Sequence, residues 1–444
     1  MLRMKLITAM TFMALIASHA FATELSVVDE SVSPPPSYSG SGVLKLHDAL
    51  EIALINNQGL AGLRAKAEAM SAIPGQAGAL PDPVLGISAL NLPTDTFDFD
   101  QEPMTQLQIS LSQSFPFPGK RGLRRDAAAF EATAAADHLL DQQLQLTAGV
   151  RGTWWQLMYL DQAIEIVEQN RGLMRDFVEI AQTKYKVGKG LQQDVLLAQL
   201  ELSRLLNRLL PLNGMRDATA ADLNALMDLQ ANQPITLPQR PSSTTLPEIP
   251  SENQLLDMAL ESRPLLNVAR QLTEASRMRM DLAKRDYYPD FTLGAGYGFR
   301  DGEDPIRGER PDFASFIFKV NVPIYFKSKQ SKAVDQRSSE YFQSKHIFNE
   351  TLRSVQASIA RNYSQYHATR DQVSLFESAI IPQARQTVSA MLSGYQVNQV
   401  DFLNVLNAQI TLYNAQISYW EAMSNAKRSL AKLAASVGSE ELYE

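Results

Sequence analysis

The sequence predicts a mixed α/β membrane protein built from one structural unit that occurs twice. Three observations support this fold class. A long stretch of the chain repeats itself, short segments alternate apolar and polar residues, and two very long helical segments carry coiled-coil spacing. Each copy has the same order of elements: a helix, two short strands, a long helix, a turn and a returning helix.

The composition fits a folded chain and excludes several functional classes. The 444 residues are 45% hydrophobic and 20% charged, and the net charge is −7. This mild acidity argues against a nucleic-acid partner, because nucleic-acid-binding proteins present a basic face. The absence of cysteine removes disulfides, thiolate metal centres and cysteine nucleophiles.

The N-terminus reads as a signal peptide over residues 1–22. Arg3 and Lys5 precede a short apolar run, and Ala20-Phe21-Ala22 offers a cleavage site. Residues 23–45 then form a predicted extended arm. No later run reaches the ~18 apolar residues of a membrane helix, so the mature chain is expected in the periplasm or in the outer membrane as a β-barrel.

The repeat divides the mature chain. The first repeat is predicted over residues 46–232 and the second over 251–436, with a proline-rich linker at 233–250 and a tail at 437–444. Matching positions occur along both copies. Pairs that carry the repeat include Tyr185 with Tyr395, Val195 with Val405, Leu196 with Leu406, Gln199 with Gln409, and Pro81-Asp82 with Pro289-Asp290.

The periodicity also predicts element boundaries. In the first repeat a helix runs from Leu46 to about Ala72 and ends at Pro74 and Gly75, and strands follow at about 84–92 and 105–113. A long helix at about 119–187 and a helix at about 191–230 complete the unit. The second repeat has a first helix from about Ser251 to about Tyr287, strands at about 290–299 and 313–322, and helices at about 328–397 and 401–436.

The strands alternate apolar and polar residues, as outer-membrane barrel strands do. A soluble sheet with one buried face would show the same period. The residues expected to face lipid are Leu107, Ile109, Leu111, Phe291, Leu293, Tyr297, Phe299, Phe316, Phe318 and Val320.

Strand number favours an assembly of three chains. Four strands cannot close a barrel, and an open sheet edge in lipid would leave backbone groups unpaired. Three chains would supply twelve strands. The strand-to-strand loops are acidic and suit an extracellular rim, with Asp95, Asp98, Asp100 and Glu102 in one and Asp301, Glu303, Asp304 and Asp312 in the other.

The long helices carry coiled-coil spacing. In the first copy the predicted seam comprises Leu157, Leu160, Ile164, Val167, Met174, Val178, Ala181 and Tyr185, with Arg171 as an interruption. At 1.5 Å per residue, a helix of roughly 65 residues would reach ~100 Å. Gly172 and Pro382 occupy equivalent places, so both long helices are expected to bend there.

These features resemble the TolC family of outer-membrane efflux channels over nearly the whole mature chain. Within that family the chain is most similar to the branch that serves heavy-metal exporters. The residues that carry the resemblance are Tyr395-x-Val397…Val405-Leu406-x-Ala408-Gln409…Leu412, Val320-x-Val322-Pro323-Ile324, Pro81-Asp82-Pro83…Asn91-Leu92-Pro93 and Ser112-Gln113-x-Phe115-Pro116-Phe117-Pro118-Gly119-Lys120.

The resemblance implies a homotrimer with a twelve-stranded outer-membrane β-barrel that continues into a twelve-helix periplasmic tunnel. It also implies partners: a periplasmic membrane-fusion adaptor, an inner-membrane RND pump and outer-membrane lipid. The channel would be a passive duct for heavy-metal cations, opened by those partners. Two alternatives stay open: the same channel serving drug efflux or type I protein secretion, and a soluble periplasmic coiled-coil adaptor whose strands pack inside a core.

The family's narrow periplasmic end implies gating candidates at the helix turns. Family members often carry aspartates where this chain has Asn404 and Asn407, whereas Asp194 and Asp401 lie nearby. The acids would attract cations, and the asparagines would close the aperture through interhelix hydrogen bonds. Tyr185 and Tyr395 complete the candidate set. For Asp194 the alternative is a helix N-cap or first-turn acid, and for the asparagines a solvated polar face.

No constellation of residues predicts an enzyme, a cofactor or a resident metal. The P-loop pattern fails around Gly119-Lys120, because position 114 is Ser and position 121 is Arg. The histidines of the mature chain, His47, His138, His346 and His367, are scattered. The sequence therefore predicts a transport channel without catalytic residues.

Overall fold

The computed structural model describes residues 42–304, 306, 308–397 and 399–443. The predicted signal peptide and most of the predicted N-terminal arm lie outside these residues. The chain divides into two compact units. We call residues 69–132 and 271–345 the strand unit, and residues 42–68, 133–270 and 346–443 the helical unit.

The elements of both repeats follow the predicted order, except that each repeat begins with two helices where one was predicted. The elements of the first repeat come first. They are α1 (Leu46–Asn56), α2 (Gln58–Gly78), β1 (Val84–Leu90), β2 (Gln106–Phe115), α3 (Lys120–Lys186) and α4 (Gln192–Leu226). Those of the second repeat are α5 (Glu252–Ser262), α6 (Pro264–Arg285), β3 (Phe291–Phe299), a small hairpin of β4 (Glu303–Asp304) and β5 (Gly308–Glu309), β6 (Phe313–Val320), α7 (Gln330–Leu375), a π-helical segment (Phe376–Ile380), α8 (Ile381–Gln396) and α9 (Phe402–Val437).

The first predicted helix is wrong in two respects. The chain forms two helices, because the side chain of Asn57 accepts a hydrogen bond from the backbone N–H of Leu60 and so caps a new helix at α2. Pro74 and Gly75 do not end this helix, which contains Pro74 and reaches Gly78. Pro74 lies near the end of α2, where the backbone hydrogen bond that it removes affects few residues.

The strand unit contains a four-stranded antiparallel sheet in the order β1-β2-β3-β6. The register places the predicted lipid-facing residues on one face: Ile109 lies opposite both Ile87 and Tyr297, and Leu293 opposite Phe318. The other face carries mainly small and polar residues, such as Ser110 opposite Gly296. The period-2 pattern therefore extends coherently across all four strands.

The apolar face of the sheet is open within the described chain. Phe316 is 88% exposed, Phe318 68% and Ile87 62%. A sheet packed inside a soluble core would bury these side chains, so the structure contradicts the soluble-adaptor alternative. Among the described helices, none has both the length and the apolar character that a transmembrane helix requires.

Two arginines join the loops at one end of the sheet. The guanidinium of Arg310 donates to the carbonyl oxygens of Asp100, Glu102 and Asp301, and Arg300 donates to that of Pro103. The acidic loops of the two repeats are thus held together by backbone contacts to cations from the second repeat.

The helical unit has its core where the predicted seam of α3 lies. Leu157, Leu160, Val167, Met174 and Ala181 are all 1% exposed or less, which confirms these seam positions. Tyr185 is 49% exposed and does not belong to the seam. The linker adds to this core, because Ile235 and Leu237 are buried in it.

The interruption of the seam is Asn170 and not Arg171. Asn170 is buried at 4% exposure, three residues after Val167 and four before Met174. Arg171 is half-buried beside the seam and pairs with Glu168, one turn earlier on the same helix, at 2.6 Å. A polar residue therefore lies in the seam itself.

The two predicted bends have different outcomes. Helix α3 continues through Gly172 without a break in its α-helical assignment. At Pro382 the second long helix changes form: the π-helical segment precedes it, and the backbone N–H of Ile381 donates to the carbonyl of Phe376. Proline has no N–H to donate, and the wider π-turn accommodates this gap.

Candidate functional site

The predicted gating residues lie at two helix turns of the helical unit, which we call the tip. One turn joins α3 to α4 through Gly188, whose φ of +75° favours glycine. There the backbone N–H of Lys189 donates to the carbonyl of Lys184. The other turn joins α8 to α9, and the N–H of Gln399 donates to the carbonyl of Gly394.

Lys184 and Tyr395 connect the two turns. The ammonium of Lys184 lies 3.8 Å from the centroid of the Tyr395 ring and donates to the carbonyl oxygen of Tyr395 at 3.2 Å. A cation over an aromatic ring is attracted by the ring's negative face. This contact joins the end of the first long helix to the end of the second.

An aromatic cluster lies beside this link. The ring of Phe402 is 5.6 Å from that of Tyr395 and 5.9 Å from that of Phe177, and Phe402 is 2% exposed. A small apolar cavity between these rings is also lined by Ile180, Leu392 and Val405. The tip is thus held by apolar packing and by the Lys184 cation, which lines the same cavity.

The predicted acids occupy different local environments. Asp194 is a half-buried acid in the first turn of α4, where the helix dipole favours negative charge. Burial, and then the negative charge of Asp194, raise the pKa of Tyr395. Asp401 occupies the N-cap position of α9, is exposed, and makes no side-chain cap hydrogen bond.

The structure brings together only part of the predicted set. Asp194 lies within electrostatic reach of Tyr395, whereas Tyr185 faces solvent. Asn404 and Asn407 are exposed, and within the described chain their side chains make no hydrogen bond. The interhelix hydrogen bonds expected of these asparagines are therefore not made inside one chain.

Two buried polar pairs, farther along the helices from the tip, were not predicted from the sequence. The side-chain amide of Gln409 donates to the side-chain oxygen of Asn170 at 2.6 Å, and both residues are at most 6% exposed. The Tyr413 hydroxyl donates to the carboxylate of Glu201 at 2.8 Å. Burial and this carboxylate raise the pKa of Tyr413 to about 12.

A signal for these pairs was present in the sequence. Glu201 falls three residues after Ala198 and four before Leu205, so it occupies a seam position of α4 as Asn170 does in α3. Polar residues at seam positions fix the register between helices. The guanidinium of Arg208 lies 5.6 Å from the centroid of the Tyr413 ring and donates to Asn414 at 2.7 Å.

No cluster of three or more His, Asp or Glu side chains that could hold a metal ion occurs among the residues the structure describes. The described histidines remain dispersed; His367, for example, packs against the ring of Tyr363 at 4.4 Å. The tip offers aromatic, apolar and singly charged groups in contact with one another, an arrangement suited to holding helices together.

Comparison with known proteins identifies the family. The model of the family described as "Outer membrane efflux protein" matches residues 49–228 and 255–439. The cobalt-zinc-cadmium resistance protein CzcC of Cupriavidus metallidurans is 23% identical over 403 residues, which cover 90% of this chain and 91% of CzcC. The alkaline protease secretion protein AprF of Pseudomonas aeruginosa is 20% identical over 291 residues, covering 64% of this chain and 60% of AprF.

Solved structures of outer-membrane proteins have a similar fold. The crystal structure of the outer membrane protein VceC of Vibrio cholerae superposes with a TM-score of 0.73 at 21% identity, covering 90% of this chain and 97% of VceC. The family match covers most of the chain, and its two matched segments coincide with the two copies of the duplicated unit. Each copy contributes two strands to the four-stranded sheet. The chain therefore belongs to the outer membrane efflux protein family, and it is a transport channel of the outer membrane and not an enzyme.

Proposed function

We propose that three copies of this chain form the outer-membrane duct of a tripartite export system, together with a periplasmic adaptor and an inner-membrane RND pump. The observation that carries the proposal is the open sheet. In the described chain, β1 and β6 are edge strands, and the face between them is apolar and exposed. Lipid can cover that face, but only closure with other copies satisfies the edges.

We further propose that the tip is where the duct opens and closes. Asp194, Asp401, Asn404, Asn407, Tyr185 and Tyr395 line the helix turns, and Lys184 ties the two turns of one chain. Opening would be a shift in population toward a state in which these turns separate, favoured by contacts with the adaptor.

The variant Lys184→Met tests this gate. It removes the cation from the Tyr395 ring and should raise the open probability of single channels in planar bilayers, because a state with separated turns becomes more populated. Lys189→Met is the matched control, since Lys189 is exposed on the same turn. Equal open probability of Lys184→Met and the wild-type protein would contradict a gating role for the link.

For the cargo, we propose heavy-metal cations. This rests on the similarity to CzcC over most of both chains and on the segments around Pro81-Asp82-Pro83 and Pro116-Phe117-Pro118. The acidic loops that Arg300 and Arg310 hold together add negative charge that attracts cations. The similarity to AprF favours a second candidate, protein secretion.

Deleting the gene separates these cargoes. Loss of tolerance to cobalt, zinc or cadmium, restored by a wild-type copy, is the expected result. Secreted protease activity and drug tolerance are measured in the same strains. Unchanged metal tolerance with reduced secretion would assign the channel to secretion, and unchanged metal tolerance with reduced drug tolerance would assign it to drug efflux.

A further inference from the structure

We infer that a salt bridge found within each chain is repeated between chains: Asp82 of one copy pairs with Lys327 or Lys329 of a second copy. The inference rests on the proposed trimer and names residues that would hold its subunits together. It follows from an internal contact of the strand unit and from the correspondence between the two repeats.

The internal contact lies where β2 leads into α3. The ammonium of Lys120 is 2.9 Å from the carboxylate of Asp290 and 3.2 Å from that of Asp286, and it donates to the carbonyl oxygen of Tyr288 at 3.0 Å. Lys120 is only 3% exposed. Asp290 also accepts the backbone N–H of Phe117 at 2.7 Å. A lysine of the first repeat is thus enclosed by the segment before β3 of the second.

The sheet registers show which residues correspond in the other direction. Val84, two residues after Asp82, pairs with Ser112, and Thr292, two residues after Asp290, pairs with Lys319. Ser112 therefore corresponds to Lys319, and Lys120, eight residues later, corresponds to Lys327. Because α7 starts three residues later than this correspondence predicts, the turn is longer, and Lys329, just before Gln330, is the second candidate.

These counterparts have no partner within the described chain. Asp82, Lys327 and Lys329 are exposed, and none of them makes an ion pair with another described residue. The apolar residues of the segment between β6 and α7, which corresponds to the segment between β2 and α3, are also exposed to solvent. Ile324 is 66% exposed and Tyr325 71%. In the segment between β2 and α3, by contrast, the ring of Phe117 stacks on that of Tyr288, with 4.5 Å between their centroids.

The same correspondence gives the pairing of the edge strands. In the β2–β3 ladder Leu111 lies opposite Ala295 and Gln113 opposite Leu293. The equivalent ladder between copies places Phe318 opposite Ile87 and Val320 opposite Leu85. All four side chains then stay on the apolar face, whereas a shift by one residue would place Phe318 opposite Gly86 or Ser88. This register brings Asp82 to the turn that carries Lys327 and Lys329.

Cysteine cross-linking tests the contact directly, because the natural chain contains no cysteine. The full chain carrying Asp82→Cys with Lys327→Cys, or Asp82→Cys with Lys329→Cys, is treated in outer membranes with a short bismaleimide. At least one pair should give covalent dimers and trimers on a denaturing gel. Asp95→Cys with Lys327→Cys is the negative control, since Asp95 lies in the loop at the other end of β1.

The native mass of each variant distinguishes failure of the proposed salt bridge from failure of the proposed trimer. A trimeric mass without cross-linking in either pair would overturn the salt bridge and leave the proposed duct standing. A monomeric mass for the wild-type protein would overturn both. Cross-linking of the Asp95 control as strongly as the test pairs would also overturn the assignment, because it would show no positional preference.

Charge reversal provides a second measurement. Asp82→Lys should lower the temperature at which the detergent-extracted trimer dissociates, because like charges would meet at the contact. Adding Lys327→Asp and Lys329→Asp to that variant should restore the dissociation temperature. Asp95→Lys, which makes the same charge change in a loop, should leave it unchanged. A triple variant no more stable than Asp82→Lys would overturn the ion pair.

Discussion

Lys427 shows how strongly a single residue of the helical unit depends on its surroundings. Its ammonium is buried on α9, donates to the carbonyl oxygen of Thr245 at 2.6 Å, and lies 5.5 Å from the Trp155 ring and 5.7 Å from that of Tyr443. Burial lowers its pKa from 10.5 to about 8. The folded chain therefore holds this proton less firmly than the unfolded chain does.

This lowered pKa predicts a pH dependence of stability. Between about pH 8 and 10.5 the unfolded state binds more protons at Lys427 than the folded state, so the free energy of unfolding from this group rises with pH across that window. The variant Lys427→Met should remove this contribution. Thermal unfolding of the detergent-extracted protein at pH 7 and pH 9.5 measures it, with the exposed Lys432→Met on the same helix as control. An equal rise in wild type and Lys427→Met would refute the assignment.

At the same scale, sequence reasoning located the tip residues but not their roles. It grouped Tyr185 with Tyr395 because the repeat makes them equivalent, yet only Tyr395 is packed, under Lys184 and beside Phe402. Contacts between residues about 210 positions apart depend on how helices pack in space. A repeat in the sequence states equivalence of position and not of environment.

Helices α3 and α9 are aligned by the buried Asn170–Gln409 pair. Replacing Asn170 alone with Leu would leave the Gln409 amide buried without its partner, which costs on the order of 1–3 kcal/mol. The double variant Asn170→Leu/Gln409→Leu should recover much of the lost stability, because two apolar groups then meet. Urea or thermal unfolding of the single and double variants measures the coupling. Additive losses in the double variant would show that the pair does not act as a unit.

Element boundaries were predictable where periodicity alone decides them. The four sheet strands and most of the seam of α3 follow from spacings of two and of three or four residues. The failures occurred at single residues with local alternatives. Asn57 caps a new helix, Pro74 is tolerated near a helix end, and Pro382 is accommodated by a π-turn. Each depends on one hydrogen bond that periodicity does not report.

For the whole molecule, the apolar face of the sheet is the decisive surface. Phe318→Lys places a charge on that face, at a cost of about 2–4 kcal/mol if it lies near the bilayer midplane. The amount of trimer recovered from outer membranes should fall. Ser315→Lys is the matched control, because Ser315 lies on β6 but on the opposite face. Equal recovery of the two variants would contradict the assignment of Phe318 to lipid.

The fold and the family could be predicted from the sequence, because the repeat and the strand pattern are distributed over hundreds of residues. The Lys120–Asp290 contact was not predicted, although Lys120 lies in a segment that carried the family resemblance and Asp290 in one that carried the repeat. Those segments were informative as patterns, while their physical role, enclosing a cation between the repeats, required the register of the sheet.

The unequal environments of the two tip tyrosines have a consequence for symmetry. Each chain ties only the tyrosine of its second repeat, so a ring of three chains would hold six tyrosines, of which alternate ones are bound to a lysine of their own chain. The duplicated unit would give the ring approximate sixfold symmetry, but the contacts between Lys184 and Tyr395 would follow exact threefold symmetry. The three helix ends that carry Tyr185 would then be available to bind another molecule, while the three that carry Tyr395 hold the ring together.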